Sequence, residues 1–208
     1  MRAPRIVVPA VLLAVVAGLA GLTAPVSATP THGTRVAPRL TAVITFDKFW
    51  RDPQDSRLSW RVWRHDRRGR TLVESRSWRA GSGFTSHSTN ACKRDDGWLP
   101  NGGYRPRLIA DYWGSLIKGR AIALGQKACG NGTVRQNLFI HTEQGARNSQ
   151  CADRKGDQPC RWEYPKFNDY RSHGCIKLSP GDMRELFVAW RRHFDLGYDG
   201  RVRVRVIG

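Results

Sequence analysis

Short runs rich in valine, isoleucine, tryptophan and threonine recur between turn signals, and this pattern constrains the fold more than any other feature of the chain. Such runs are typical of β-strands, and the charged, glycine-containing turn at residues 66–70 predicts a hairpin between two of them. The last run alternates arginine with valine, which predicts a half-buried strand whose arginines face solvent. The predicted strands are residues 40–46, 58–64, 71–78, 120–124, 134–141 and 201–206.

One substantial helix is predicted near the C-terminal end. Ser179 can cap it, Pro180 suits the first helical position, and Asp182 places an acid at the positive end of the helix dipole. The apolar residues that follow at helical spacing are Met183, Leu186, Phe187 and Trp190. Together with the strand pattern, this predicts a mostly β domain with one substantial helix.

The N-terminus has the features of a secretory signal. Two arginines precede an uncharged apolar run over residues 6–24, and the small residues Val26-Ser27-Ala28 follow. We expect cleavage after Ala28 and a secreted protein, although the length of the run leaves an uncleaved membrane anchor as an alternative. The expected organisation is a signal peptide at 1–28, a flexible lead-in at 29–39 and one domain at 40–208.

The chain is strongly basic. It has 35 lysines and arginines against 17 acidic residues, a formal net charge of +18. The charge is scattered and no nucleic-acid-binding motif accompanies it, so an anionic extracellular polymer is the expected partner and nucleic acid is not. A solvated basic surface without a specific ligand remains the alternative.

Five cysteines constrain the covalent structure. An oxidising compartment favours pairing of an even number, which leaves one free. Pairing Cys151 with Cys160 closes a short polar loop and stabilises it by roughly 2.5 to 3 kcal/mol in the chain-entropy model. Cys92 with Cys129 is then the expected second bridge, although the sequence allows three pairings of these four. Cys175 is expected to stay free.

The segment Ser172-His173-Gly174-Cys175 places this thiol beside an imidazole and a glycine, and His141 ends an apolar run upstream. Thiol catalysis needs a thiolate, a base and donors for an oxyanion, and a nearby imidazole is expected to lower the pKa of the cysteine. The backbone N–H groups at Gly174 and Cys175 can serve as the oxyanion hole. The pattern therefore predicts a cysteine nucleophile for acyl transfer.

Two other interpretations of these residues are open. Cys175 can be a structural thiol beside a hydrogen-bonded histidine. Alternatively, His141, His173 and Cys175 can bind zinc with help from Glu143. The chain lacks a paired Cys-x-x-Cys or His-Glu-x-x-His element, so we expect no metal and no cofactor.

The same motif carries a family resemblance. Ser172-His173-Gly174-Cys175 followed by an aliphatic residue, with Ile140-His141-Thr142 upstream, resembles the L,D-transpeptidase catalytic domain of bacterial cell-wall enzymes. Pro100-Asn101-Gly102-Gly103-Tyr104 is similar to the Thr-Pro-x-Gly-x-Tyr element of that family, with Leu99 where threonine is usual. The resemblance covers roughly residues 40–208.

The resemblance implies a β-sandwich and a secreted, wall-associated enzyme that is monomeric and has no cofactor. Cys175 would attack the carbonyl between the third and fourth stem-peptide residues of peptidoglycan and form a thioester. His141 would act as base, oriented by the Thr142 carbonyl, while His173 and Gly174 would shape the oxyanion region. An amine acceptor then gives a cross-link, whereas water gives L,D-carboxypeptidase activity.

The chain departs from the family pattern in two ways. Thirty residues separate His141 from Ser172, more than is usual, and this insertion at about 143–171 contains the predicted disulfide loop, so we expect an elaborated lid. Lys177 stands where the family has asparagine or arginine and would offer a point charge to a substrate carboxylate. The expected substrate-binding residues are Ser172, Lys177, Tyr104 and Trp162.

Two further functions remain as alternatives. Another secreted cysteine hydrolase acting on the wall is disfavoured because papain-like enzymes place cysteine before histidine, the reverse of the order of His141 and Cys175. A cationic wall-binding module without catalysis would keep the same fold.

Overall fold

The computed structural model describes residues 38–208, so the predicted signal peptide and most of the lead-in lie outside the described residues. This part of the chain contains ten β-strands and one α-helix, with two 3-10 turns. The elements are β1 (Arg39–Asp47), β2 (Ser56–Asp66), β3 (Gly69–Ala80), β4 (Gly102–Tyr104), β5 (Arg107–Trp113), β6 (Lys118–Ala128), β7 (Val134–His141), β8 (Ile176–Lys177), α1 (Pro180–Arg191), β9 (Gly197–Tyr198) and β10 (Val202–Ile207).

The strands form two mixed, five-stranded sheets. Sheet A has the order β3-β2-β1-β10-β4, and sheet B has the order β8-β7-β6-β5-β9. The β1–β10 and β7–β8 pairs are parallel, and the other pairs are antiparallel. The prediction of a mostly β, sandwich-like domain with one substantial helix after the Ser-His-Gly-Cys motif is confirmed.

One hydrophobic core joins the two sheets and α1. Ile44 of sheet A and Ile140 of sheet B are fully buried in it, and Trp190 of α1 stacks on Trp60 with 5.8 Å between ring centroids. The start of α1 has the predicted cap, because the Ser179 hydroxyl accepts a hydrogen bond of 3.1 Å from the Asp182 amide. The large side chains of Trp60 and Trp190 bury apolar area that stabilises the fold.

Two local predictions in sheet A are also confirmed. β2 and β3 form an antiparallel hairpin that closes between Asp66 and Gly69. In β10 the alternation places the valines in the core and the two arginines in solvent, as the period-two pattern requires.

Both expected disulfides are formed. The Cα atoms of Cys92 and Cys129 lie 5.8 Å apart and those of Cys151 and Cys160 lie 5.7 Å apart, while Cys175 is free. Two bridges in a chain of this size indicate an oxidising, extracytoplasmic compartment. Within residues 38–208, no helix is long and apolar enough to cross a membrane.

Candidate active site

The candidate site lies on the face of sheet B that points away from the sandwich core. Along β7, Leu138 and Ile140 enter the core, so the alternation of a strand puts Phe139 and His141 on the opposite face. β8 runs parallel to β7, and His141 pairs in register with Lys177. Since Cys175 is two residues before Lys177, the register brings the thiol to the same face as the imidazole.

His141 is held in one orientation at the end of β7. Its ring is buried, and Nδ1 lies 3.1 Å from the Thr142 carbonyl. A carbonyl can only accept, so Nδ1 carries the proton and Nε2 has a free lone pair. Burial, and next the charge of Lys177, lowers the pKa of His141 to about 3 against the opposing effect of the Thr142 carbonyl. The imidazole is therefore neutral and able to take a proton.

The Cys175 thiol is partly exposed and lies between β7 and the turn before β8. It donates a hydrogen bond of 3.6 Å to the Asn137 carbonyl, and the Phe139 amide donates to the sulphur. Burial raises the pKa of Cys175 to about 11, and the Phe139 amide and the charges of Lys177 and Arg135 only partly offset it. The expectation of a lowered pKa is wrong, because a neutral imidazole supplies no positive charge.

No hydrogen bond joins the Cys175 thiol to the His141 imidazole. Within the described residues, the thiol of Cys175 donates to Asn137 rather than to His141. The strand spacing and rise put the Cα atoms of two such diagonal neighbours on the order of 8 Å apart. An imidazole and a thiol that point from the same face can meet across this span, and catalytic contacts often tighten only when substrate binds.

The turn at residues 172–175, called the nucleophile turn after the predicted role of Cys175, is held together by hydrogen bonds of Ser172. Its buried hydroxyl donates to the Cys175 carbonyl at 2.5 Å and accepts from the amides of Gly83 and Gly174, each at 3.3 Å. The expectation that Ser172 binds substrate is therefore not supported, because its hydroxyl is occupied by these three backbone groups.

Arg135 is a buried arginine at this turn that sequence reasoning missed. Its guanidinium donates to the carbonyls of His173 at 2.9 Å and Gly97 at 3.1 Å, and also to those of Ala91 and Trp98. These bonds join the turn to the segment that carries Cys92. One arginine in a polar stretch of β7 gives no signal of this role, since its acceptors are distant in sequence.

Gly174 must be a glycine for two reasons. Its φ is +114°, and a Cβ there would lie 2.0 Å from a guanidinium nitrogen of Arg135. We predict that Gly174→Ala destabilises the protein by about 2 to 4 kcal/mol, because the backbone is strained and Arg135 must leave its carbonyl partners. Urea unfolding followed by tryptophan fluorescence measures the change.

Gly181 provides the matched control for this prediction. It is exposed in the first turn of α1, where an added Cβ meets nothing nearer than the Ser179 hydroxyl at 3.8 Å. Gly181→Ala should be neutral or stabilising by up to about 1 kcal/mol. Equal effects of the two substitutions would show that Arg135 does not fix the nucleophile turn.

The raised pKa of Cys175 predicts how the protein reacts with a small alkylating agent. Iodoacetamide modifies thiolates, so its rate with Cys175 should rise about tenfold per pH unit up to a pH near 11. Glutathione in the same buffers should level off near its ordinary thiol pKa of about 8.5 to 9. A plateau for Cys175 at or below pH 8 would show that the protein stabilises the thiolate, contrary to this account.

Lys177 is not the free charge that the sequence suggested. Its ammonium forms a salt bridge with the carboxylate of Glu143, and both side chains are largely buried. Burial raises the pKa of Glu143 to about 7, although the charge of Lys177 acts in the opposite direction. The expectation that Lys177 offers a point charge to a substrate carboxylate is not supported, since Glu143 already occupies it.

The two aromatic residues expected in the groove have different positions. Tyr104 lies in the core, where its hydroxyl donates to the Pro100 carbonyl at 2.6 Å, so it has no surface for a substrate. Trp162 is half-buried in the insertion and packs edge-on against Tyr170 with 5.0 Å between ring centroids. Tyr104 is thus misassigned from sequence, because a motif match does not reveal burial.

The side chain of His173 contacts two loop residues. Its ring is exposed, stacks on Phe84 at 4.7 Å between centroids and contacts the Asp95 carbonyl at 2.6 Å through Nδ1. It lines a cavity of about 270 Å³ together with Arg94, Arg135 and Asn137. Because Asn137 also holds the thiol, this cavity adjoins Cys175 and is the candidate groove for a substrate.

A larger cavity, about 500 Å³, lies elsewhere and is lined by four arginines: Arg120, Arg184, Arg191 and Arg192. Ala121 pairs with His141, so these two side chains lie on the same face of sheet B. Arg120 is the neighbour of Ala121 along the strand and therefore points to the opposite face. Burial, and next the charge of Arg184, lowers the pKa of Arg120. This cavity is therefore cationic and separate from the thiol.

The zinc set considered from sequence is not assembled. Within residues 38–208, the His, Cys, Asp and Glu side chains close enough to share one ion are Glu143, Asp157 and Asp169. His141, His173 and Cys175 are not among them, and His173 turns towards Phe84.

No protein-family model matches this chain, and neither does any curated protein sequence. Similar solved structures include that of Bd1075 from Bdellovibrio bacteriovorus and the crystal structure of the helical cell shape determining protein Pgp2 from Campylobacter jejuni. Each match has 13% sequence identity and a TM-score of 0.44 and covers 80% of this chain. The chain spans about half of those proteins, since the matches cover 48% and 47% of them respectively. A likeness of this strength carries no functional inference.

Proposed function

We propose that this protein is an extracytoplasmic cysteine acyltransferase of the L,D-transpeptidase type that acts on peptidoglycan stem peptides. The observation that carries the proposal is the placement of a free thiol, Cys175, and an oriented neutral imidazole, His141, on the same face of adjacent parallel strands. The sequence motif around Cys175 supplies the expected substrate class. The two disulfides support an extracytoplasmic location.

The resting pair is neutral, so the nucleophile is activated during attack rather than beforehand. Nε2 of His141 takes the thiol proton as the sulphur of Cys175 bonds to the substrate carbonyl carbon. The resulting imidazolium then gives this proton to the leaving amine of the terminal residue, and a thioester remains. The acceptor amine then attacks the thioester carbon and the C–S bond breaks, while His141 takes a proton from the amine and gives it to the departing sulphur, which restores the free thiol. The Thr142 carbonyl keeps Nδ1 protonated throughout.

The oxyanion of the tetrahedral intermediate needs backbone donors near the sulphur. The Gly174 amide already donates to Ser172, so the Cys175 amide is the better candidate for this role. The buried guanidinium of Arg135 lies close enough to lower the pKa of the thiol, and its positive charge favours negative charge at the same point. Its hydrogen bond to the His173 carbonyl keeps the turn in place.

A defined stem peptide tests the proposal directly. The secreted form, incubated with a synthetic tetrapeptide stem and an amine acceptor, should release the terminal residue and form the joined product, both identified by mass spectrometry. Release without joining would assign the hydrolytic alternative, an L,D-carboxypeptidase. Absence of both products with substrate at millimolar concentration would contradict acyl transfer on stem peptides.

The cationic cavity favours an additional contact with an anionic wall polymer. Three of its arginines, Arg120, Arg184 and Arg191, have no carboxylate in salt-bridge range within the described residues, whereas Arg192 pairs with Glu74 at 2.9 Å. Planar guanidinium groups match phosphate and carboxylate oxygens. Such binding would hold the enzyme at the wall. A wall-binding module without catalysis would show this property alone.

A further inference from the structure

Three carboxylates meet beside the candidate active site. Glu143, Asp157 and Asp169 each contribute an oxygen, and these oxygens lie within 4.8 Å of one another. All three belong to the segment between β7 and β8, although they come from different parts of it. Glu143 follows the end of β7, Asp157 lies in the loop closed by Cys151 and Cys160, and Asp169 precedes the nucleophile turn.

Two of the three side chains are buried and have an oxygen without a partner. Glu143 and Asp169 are 7% and 1% exposed, and neither Oε2 of Glu143 nor Oδ1 of Asp169 has a hydrogen bond within the described residues. Their other oxygens are occupied, by the Lys177 ammonium and by the amides of Glu163 and Tyr164. A buried carboxylate oxygen is costly when nothing satisfies it, so this arrangement points to a ligand.

The charges do not cancel. Three carboxyl groups face the single ammonium of Lys177, so the cluster carries two uncompensated negative charges when all three are ionised. Like charges at this spacing repel, and buried charges are ordinarily paired or bound to a metal. A divalent cation would balance the remaining charge.

We propose that Glu143, Asp157 and Asp169 bind a calcium ion, which fastens the disulfide loop at residues 151–160 to the end of β7. Calcium takes oxygen ligands at about 2.3 to 2.6 Å, so two ligands of one ion can be as far as about 5 Å apart. Magnesium needs about 2.0 to 2.1 Å and stricter geometry, and zinc prefers nitrogen and sulphur. Backbone carbonyls and water would complete the coordination.

The site would order the insertion next to the catalytic residues. Glu143 is two residues from His141, and its partner Lys177 pairs with His141 in the β7–β8 ladder. The loop that carries Asp157 has one disulfide and an exposed, strongly polar surface, so it has little core of its own. A bound ion would attach this loop a second time, by a non-covalent contact, because Asp157 of the loop would be one of its ligands.

Calcium titration of the secreted form tests this proposal without any turnover. After treatment with a chelator and dialysis, isothermal titration with calcium chloride should show one site with a Kd in the range of about 10⁻⁴ to 10⁻³ M typical of extracellular modules. The melting temperature should rise with calcium concentration. Magnesium at the same concentration should have a smaller effect.

Asp157→Asn is the decisive variant, because Asp157 is exposed and its substitution leaves the core unchanged. It should weaken calcium binding at least roughly tenfold, as should Asp169→Asn. Asp153→Asn is the matched control, since Asp153 is an exposed acid of the same loop that pairs instead with Lys166 at 3.2 Å. Its Kd should stay within about twofold of the parent.

Two outcomes would overturn the calcium site. One is the absence of binding heat and of a melting shift at about 10 mM calcium, well above the expected Kd. The other is an equal Kd for Asp157→Asn and Asp153→Asn. In either case the ammonium of Lys177 would be the cation that balances the charge of the three carboxyl groups, without a metal ion. The same calcium titration can be made on the Cys175→Ala variant. Its result therefore does not depend on whether the proposed acyl transfer occurs.

Discussion

Cys175→Ala should abolish cross-linking and hydrolysis of stem peptides, with a loss of at least roughly 10³-fold in rate. In the proposed mechanism the sulphur is the atom that forms the thioester, and within the described residues Cys175 is the free thiol. The fold should be kept, because the thiol is partly exposed and makes only weak hydrogen bonds to Asn137 and Phe139. Product formation by mass spectrometry and unfolding in urea measure the two effects.

Two comparisons make this result specific. Cys175→Ser keeps the size of the side chain but offers a poorer nucleophile, so it too should lose most activity. Retention of both variants on isolated cell walls should equal that of the parent, because the cationic cavity is on the other face of sheet B. Unchanged cross-linking by Cys175→Ala would show that Cys175 is not the nucleophile, whereas wall retention by a parent protein that forms no product would leave only the wall-binding module.

His141→Gln should lower the rate of acylation by about 10²- to 10⁴-fold, because the proposed base for the thiol proton is lost. Glutamine keeps a polar side chain at this buried position, but its amide is not a base. Alkylation by iodoacetamide near pH 11, where the thiolate of Cys175 forms without help, should change little. This difference separates loss of the base from loss of the fold.

His173→Gln is the matched control. His173 is adjacent to Gly174 in the motif and lines the candidate groove, but its exposed ring stacks on Phe84. It should retain acylation to within about tenfold, much closer to the parent than His141→Gln. If His173→Gln were the more damaging of the two, the base would be assigned to the wrong histidine.

The larger strands and the helix could be predicted because their signals are local. The hairpin turn before Gly69, the alternation in β10 and the cap at Ser179 each depend on a few neighbouring residues. β8 could not be predicted, since it has two residues and exists only through pairing with β7 and a bridge to Gly81. β4, β5 and β9 were missed as well; two of them are only two or three residues long.

The sequence indicated those residues of the candidate site whose chemistry is distinctive. It did not indicate the residues whose role depends on burial and on contacts between distant parts of the chain. A free thiol and a histidine at a strand end are recognisable by residue type, and the Thr142 carbonyl lies where the resemblance implied. Arg135 and the pairing of Lys177 with Glu143 depend on contacts between residues at least 34 apart in sequence. The raised pKa of Cys175 has the same origin, because desolvation comes from packing.

The central claim is that Cys175 is an acylatable nucleophile, and intact-protein mass spectrometry after exposure to a carbapenem tests it most directly. Carbapenems acylate the cysteine of the family that the motif resembles, so the drug stands in for the stem-peptide acyl group. We predict a single covalent adduct that peptide mapping places on Cys175 and that Cys175→Ala lacks. No adduct after prolonged exposure of the folded protein, or an adduct that persists in Cys175→Ala, would contradict the account.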